Sequence, residues 1–176
     1  MTAKAQPIIR LLTTADAVRY REVRLEGLTL HPEAFASTFE RESEMPLPWF
    51  ADRTTHGNVF GAFVGDELVG VAGCWPHEGP KVNHKAALWG MYVRPAARRS
   101  GLGRRLVEAV VNHASERVEQ LQLGVVAAND DACRLYRNMG FSEYGREMKA
   151  LKQDGQYYDE ILMVRFLGAG TRPSRM

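Results

Sequence analysis

The spacing of apolar positions changes along the chain, and the changes mark out its elements. Ile8 to Leu12 is a short apolar run of strand length. Thr13 or Thr14 then offers a hydroxyl cap for a helix from about Ala15, along which Val18, Val23, Leu25 and Leu28 recur. Pro32 to Ser43 is predicted as a second helix, broken by Met45-Pro46-Leu47-Pro48. Trp49 and Phe50 open another short helical segment.

From Asn58 the period falls to that of strands. Val59–Val64 and Leu68–Trp75 flank Gly65-Asp66, a hairpin signal. A loop from Pro76 to Asn83 leads to a third strand, Lys85–Val93, which Arg94-Pro95 stops. Leu102, Leu106, Val107, Val110, Val111 and Ala114 then form one stripe of an amphipathic helix, with Arg104, Arg105, Glu108, Asn112 and Glu116 on the other side. Leu121 to Ala127 is a strand buried on both faces, and Asp131 to Met139 a short helix ended by Gly140. Strands near Ser142–Leu151 and Tyr157–Phe166 close the chain around Gln153-Asp154-Gly155. The order β-α-α-β-β-β-α-β-α-β-β predicts an α+β fold: a mixed, largely antiparallel central sheet of about six to seven strands flanked by helices.

Composition sharpens this picture. With 176 residues, 45% hydrophobic and 25% charged, the chain has the length for one domain, here residues 8–167, with flexible ends at 1–7 and 168–176. Lys+Arg 23 against Asp+Glu 21 is too even to favour nucleic acid or an anionic membrane as partner. The N-terminus MTAKAQP lacks an apolar signal core, and no apolar run reaches the ~18 residues of a membrane span, so a cytoplasmic protein is expected. Cys74 and Cys133 form neither a CxxC pair nor a Cys/His cluster; they are expected as reduced, buried thiols, and no metal site is expected.

The most informative stretch is Arg98-Arg99-Ser100-Gly101-Leu102-Gly103-Arg104, between a strand and a helix. Glycines there let backbone approach a bulky anion, and the amides opening the helix have no intrahelical acceptors. Together with the helix dipole, and with Arg98, Arg99 and Arg104 as countercharge, they suit a pyrophosphate. The dinucleotide fingerprint fails, because Leu106 stands where its third glycine belongs, and no Gly-Lys-Ser/Thr follows as in nucleotide triphosphatases. A pyrophosphate carrier held by another kind of loop remains.

These residues resemble the GNAT superfamily of N-acetyltransferases, whose loop reads Gln/Arg-x-x-Gly-x-Gly/Ala. Here it is Arg98-x-x-Gly101-x-Gly103, preceded by Met91-Tyr92-Val93-Arg94-Pro95. A second signature is similar as well: Asn129-x-x-Ala132-x-x-Leu135-Tyr136-x-x-x-Gly140-Phe141. The resemblance spans about Ile8 to Leu167 and is sharpest from Leu88 to Phe141. It implies acetyl-CoA as cosubstrate, with no metal, and an amine as acceptor. It also implies that residues 98–104 hold the CoA pyrophosphate and that Met91, Tyr92 and Val93 pair their backbone with the pantetheine amides. Asn129, which also suits a helix cap, would contact the pantetheine, and Tyr136 would be the general acid near the sulfur.

Backbone amides near Met91–Val93 would stabilise the developing oxyanion, a contribution of roughly 3 kcal/mol per donor. The base is open among Glu78, His84, His77 and water. Glu33, Glu40, Glu42 and Glu44, around the second helix, are either a solvated face or a steering patch for a cationic amine. The expected activity is transfer of acetyl directly to a primary amine of a small molecule or amino acid. A protein or peptide amine, and a non-catalytic acetyl-CoA sensor, are the alternatives. The Trp49-Phe50 pair suits either core or a dimer surface, so monomer and homodimer both stand.

Overall fold

Seven strands form one sheet in the order β1-β2-β3-β4-β5-β7-β6, in a computed structural model that describes residues 6–168 apart from residue 57. Most of the ends expected to be flexible, residues 1–5 and 169–176, lie outside the described residues. The strands are β1 (Ile8–Leu11), β2 (Val59–Val64), β3 (Glu67–Pro76), β4 (Lys85–Val93), β5 (Gln120–Val126), β6 (Ser142–Gln153) and β7 (Gln156–Phe166). Helices α1 (Ala17–Leu30), α2 (Phe39–Ser43) and α3 (Leu47–Thr55) precede β2; α4 (Leu102–Ser115) follows β4 and α5 (Asp130–Asn138) follows β5. All neighbouring strands pair antiparallel except β4 and β5, which are parallel. Among the described residues no helix is long and apolar enough to cross a membrane.

Helices cover both faces, and the core-facing positions of the central strands are apolar on each. On one face α4 and α5 pack on Val69, Ala72, Cys74, Leu88, Leu123, Val125 and Met163. The stripe predicted for α4 is the stripe that is buried. Each Leu or Val taken wholly out of water contributes about 1.5–3 kcal/mol, so these residues fix the helix to the sheet. On the other face Tyr20 and Val23 of α1 and Phe50 of α3 meet Val59, Phe63, Leu68, Val71 and Tyr92. Phe50 is fully buried, which places it in the core. Cys74 and Cys133 are free and buried.

Two helical expectations need correction. The segment 32–43 is not one helix: Pro32–Ala34 makes a single 3₁₀ turn, Phe35 is extended, and α2 starts at Phe39. Thr38 causes the restart, because its hydroxyl accepts from Arg41 N at 3.3 Å, a capping bond that holds Thr38 extended. Conversely, the prolines read as a breaker start a helix, for Pro46 is the N-cap of α3 and Pro48 sits in its first turn, where no amide donor is needed.

Two buried charges organise the N-terminal half. Arg24 on α1 and Glu42 on α2 form a forked pair at 2.7 and 2.9 Å, with side chains 7% and 1% exposed. Glu42 is thus neither solvated nor available to steer a substrate, and Glu40 and Glu44 are exposed. Near the first turn, Asp16 accepts from both Arg10 nitrogens (2.7 and 2.8 Å) and from Thr13 N (2.9 Å), closing the expected cap. These bonds, Arg10 first, hold the Asp16 carboxyl at about 2 rather than 3.8.

Breaking either pair has a calculable consequence. Glu42→Ala strands the Arg24 guanidinium in the core and is expected to remove about 3–5 kcal/mol in urea unfolding. For Asp16 the lowered pKa means that its contribution is complete above the unfolded value and is lost as pH falls from about 4 towards 2. Asp16→Asn should therefore cost about 2 kcal/mol at neutral pH and flatten that acid limb, as read by denaturant midpoints across pH.

Candidate functional site

The sheet opens in its middle. β4 and β5 pair at three positions only, Lys85–Gln120, Ala86–Leu121 and Ala87–Gln122. Beyond them β5 continues against β7 as far as Val126–Glu160, while β4 continues against β3 as far as Val93–Gly70. The edges of Leu88–Val93 and Leu123–Val126 therefore face each other unpaired, and backbone groups there can receive an extended, amide-bearing ligand as an added strand.

Gly90 shapes that opening. It takes φ +62°, and the β3–β4 register slips by one residue around it, from Gly73–Trp89 to Val71–Tyr92. The bulge reverses the side-chain alternation. Leu88 faces α4 and Trp89 the α1 side; after Gly90, Met91 again faces α4 and Tyr92 the α1 side. Tyr92 is held there by packing on Gly27, where a Cβ would come within 3.1 Å of the ring, and by donating its hydroxyl to Glu26 at 2.9 Å. Burial and the Glu26 contact push that phenol up to about 12.

Past β4 the Arg/Gly loop wraps onto α4. Arg98 N donates to Pro95 O and Arg105 N to Gly101 O, and among the described residues the six amides from Arg99 to Arg104 have no backbone acceptor. Arg99 (φ +58°) and Gly101 (φ +78°, the N-cap of α4) turn the chain through the left-handed region. A Cβ at Gly101 would meet nothing within 4 Å, so it is the turn rather than crowding that requires glycine there. Arg99 and Arg104 are in no ion pair among the described residues. Arg98 is engaged along the surface: its Nε donates to Val93 O at 2.9 Å and its other end meets His31, so it braces the loop. Free amides, a helix N-terminus and two unpaired guanidiniums suit a pyrophosphate.

Asn129 and Tyr136 lie on the α4–α5 side of the opening. Asn129 Oδ1 accepts from Ala132 N at 3.1 Å and caps α5, which leaves its amide NH₂ free. Tyr136 is 6% exposed, packs edge-on against Phe141 at 5.9 Å and shares a cluster with Leu102 and Leu123. Burial, and then the Cys133 thiol one turn earlier, raise its phenol far above the usual range, so it stays protonated at working pH.

On the opposite side lies a cavity of about 590 Å³. Its wall includes Leu88, Trp89 and Gly90 of β4, Leu123 and Gly124 of β5, Phe35 and Trp49 from the helical side, and Glu160 and Leu162 of β7. Of the bases expected from sequence, His77 lines this cavity. Glu78 is exposed in the β3–β4 turn, and His84 O accepts from Glu119 N and Gln120 N at the closed end of the β4–β5 pair. Sequence reasoning missed Gly90, Gly124 and Glu160. Their signals were a glycine inside each of two apolar strand runs and a carboxylate on a half-buried strand face.

The chain matches the Acetyltransferase (GNAT) family over residues 24–141. It is 31% identical over 156 residues to the N-alpha-acetyltransferase RimI of Mycobacterium tuberculosis, covering 88% of this chain and 91% of that one. Among solved structures, yncA of Salmonella typhimurium, a putative acetyltransferase with its cofactor acetyl-CoA, superposes with TM-score 0.80 at 20% identity over 98% of this chain and all of that one. A ribosomal-protein-alanine N-acetyltransferase from Brucella melitensis superposes with TM-score 0.74 at 25% identity, covering 91% and 99% of the two chains.

If the loop holds a pyrophosphate, Arg99→Ala/Arg104→Ala should weaken binding of CoA about 10- to 100-fold and flatten its salt dependence, as read by calorimetry at two salt concentrations.

Proposed function

The chain belongs to the GNAT family of acetyltransferases and uses acetyl-CoA as cosubstrate, and on that premise we propose that it acetylates a primary amine of a small molecule or amino acid. Acetyl-CoA supplies the acetyl group activated as a thioester. In this reading the amides of residues 98–104, with Arg99 and Arg104, grip its pyrophosphate, while Arg98 braces the loop. Met91, Tyr92 and Val93 offer backbone groups to the pantetheine, and Asn129 its free amide. The carrying observation is the opening between β4 and β5, with the anion loop on one side and a cavity of about 590 Å³ on the other. That volume is in the range of small-molecule pockets.

Each residue then has a task. Free β4 amides beside the Gly90 bulge stand where an oxyanion donor is needed. Tyr136, kept protonated by burial, gives its proton to the departing sulfur. A thiolate is a fair leaving group with an ordinary pKa near 8.5, so this assistance is helpful rather than indispensable. Direct transfer within a ternary complex needs no protein nucleophile. The buried Cys74 thiol, which desolvation pushes up to about 11, is unsuited to be one. A single domain of residues 8–167, a monomer or homodimer, and a cytoplasmic location complete the proposal.

A second reading, favoured by the mycobacterial relative's name, takes the α-amine of a peptide or protein N-terminus as acceptor. Release of free thiol from acetyl-CoA across amines, free amino acids and short peptides separates the two. Turnover with a small amine or amino acid supports the first; turnover confined to peptides supports the second. CoA binding without turnover on any of them would leave a sensor. Tyr136→Phe should lower kcat about 10- to 100-fold without loss of CoA affinity.

A further inference from the structure

The opening in the sheet has two sides, and only one of them carries an assigned proton group. Tyr136 belongs to the α4–α5 side; the amine must arrive from the cavity on the other side, and an alkylammonium has to lose a proton before it can attack. Resting on the transfer reading above, we propose that Glu160 is the base that takes this proton.

Position is the first argument. Glu160 pairs across β7–β5 with Val126, in the part of β5 that has parted from β4, and its side chain lines the cavity with Trp89 and Gly90 of β4 and Gly124 of β5. It thus stands across the opening from the tyrosine, on the face where the acceptor enters. Room is the second. A Cβ on Gly124 would lie 2.8 Å from Glu160 Oε2 and 3.2 Å from its carboxyl carbon, so the carboxylate occupies the space that a side chain at Gly124 would fill. Gly124 is the exposed position of β5, and its lack of a side chain admits a charged group to the rim of the opening. Chemistry is the third. Partial burial, and then the Glu147 carboxylate directly across the β6–β7 pair, raise Glu160 above its ordinary value, making it a stronger base than a solvated glutamate.

Other charged groups around the cavity are less suited. Arg24 of α1 and Glu42 of α2 are committed to each other, and Arg53 of α3 lies over the Trp49 ring at 3.7 Å. Arg41 of α2 and Tyr144 of β6 line the cavity but offer neither a carboxylate nor an imidazole. His77, from the β3–β4 turn, is the rival.

The step balances without another reagent. The ammonium gives one proton to the Glu160 carboxylate. The freed nitrogen lone pair attacks the carbonyl carbon; a C–N bond forms, the C–S bond breaks, and the electron pair leaves on sulfur. The nitrogen's second proton matches the one that sulfur gains by way of Tyr136, and Glu160 returns its own to water. One amide, one thiol and one solvent proton result.

The test is the pH profile of kcat/KM for the best acceptor, in wild type and in Glu160→Gln, Glu147→Gln and His77→Gln, with CoA affinity measured for each. Glu160→Gln should lose about 10²–10³-fold in kcat, lose the acidic limb and bind CoA as before. Glu147→Gln should keep activity and shift that limb to lower pH, because a neighbouring negative charge is gone. The wild-type limb should stay in place for acceptors of different basicity. An acidic limb that survives Glu160→Gln, or that vanishes in His77→Gln instead, would overturn the assignment. So would loss of CoA affinity in Glu160→Gln without any move of the limb in Glu147→Gln. A wild type that acetylates no amine would sink the transfer reading itself, whereas an active wild type matched by Glu160→Gln refutes Glu160 alone.

Discussion

Parallel strands that share three paired positions and then separate leave a row of backbone donors and acceptors without partners in the middle of a sheet. Unsatisfied backbone is costly wherever water is excluded, so such an opening persists only where something polar occupies it. The rest of the molecule is arranged around that constraint. Antiparallel neighbours hold each parted strand on its far side, β3 on β4 and β7 on β5. Helices cover both faces of the sheet beside it: α4 and α5 on one, α1 and α3 on the other. Residues 98–104 follow β4 beyond the point where it parts from β5, and both parted strands line the cavity.

The Gly90 bulge links this geometry to the core. By resetting the alternation of β4 it sends Trp89 and Tyr92 to the α1 face and Met91 to the α4 face. Met91 Cε then lies 3.4 Å from where a Cβ on Gly103 would stand, so the strand packs close to the first turn of α4. On the α1 face, the Arg24–Glu42 pair does for the helices what pairing does for strands. It ties α1 to the short α2, whose five residues could not hold a helix unaided, and so fixes one wall of the cavity. Buried ion pairs add little net stability compared with apolar packing; this one holds α1 and α2 in a single forked arrangement. Here that arrangement places Arg24 Nη1 3.7 Å from a Cβ built on Gly90.

Elements whose signal is local were legible in the sequence. The α4 stripe, the Gly65-Asp66 hairpin, the Arg/Gly loop and the Asn129 cap each rest on residues within a turn or two of one another, and each stands where its spacing places it. The segment 32–43 was misread because Thr38 competes for the helix with its own side chain, which a period count does not register. Glu42 read as one of four acidic residues on a surface. Its burial depends on Arg24, eighteen residues earlier in the chain.

By itself the sequence determined the order of the strands, the α4 stripe and the glycine-bearing turn before it, because period, caps and glycines act over a few residues. Only the tertiary structure decided which side of the sheet each chemical group occupies. Whether Glu160 meets Gly124 follows from the β5–β7 register, and which way Trp89, Met91 and Tyr92 face follows from a one-residue bulge. A register is a relation between strands distant in the chain, and no single stretch of residues contains it.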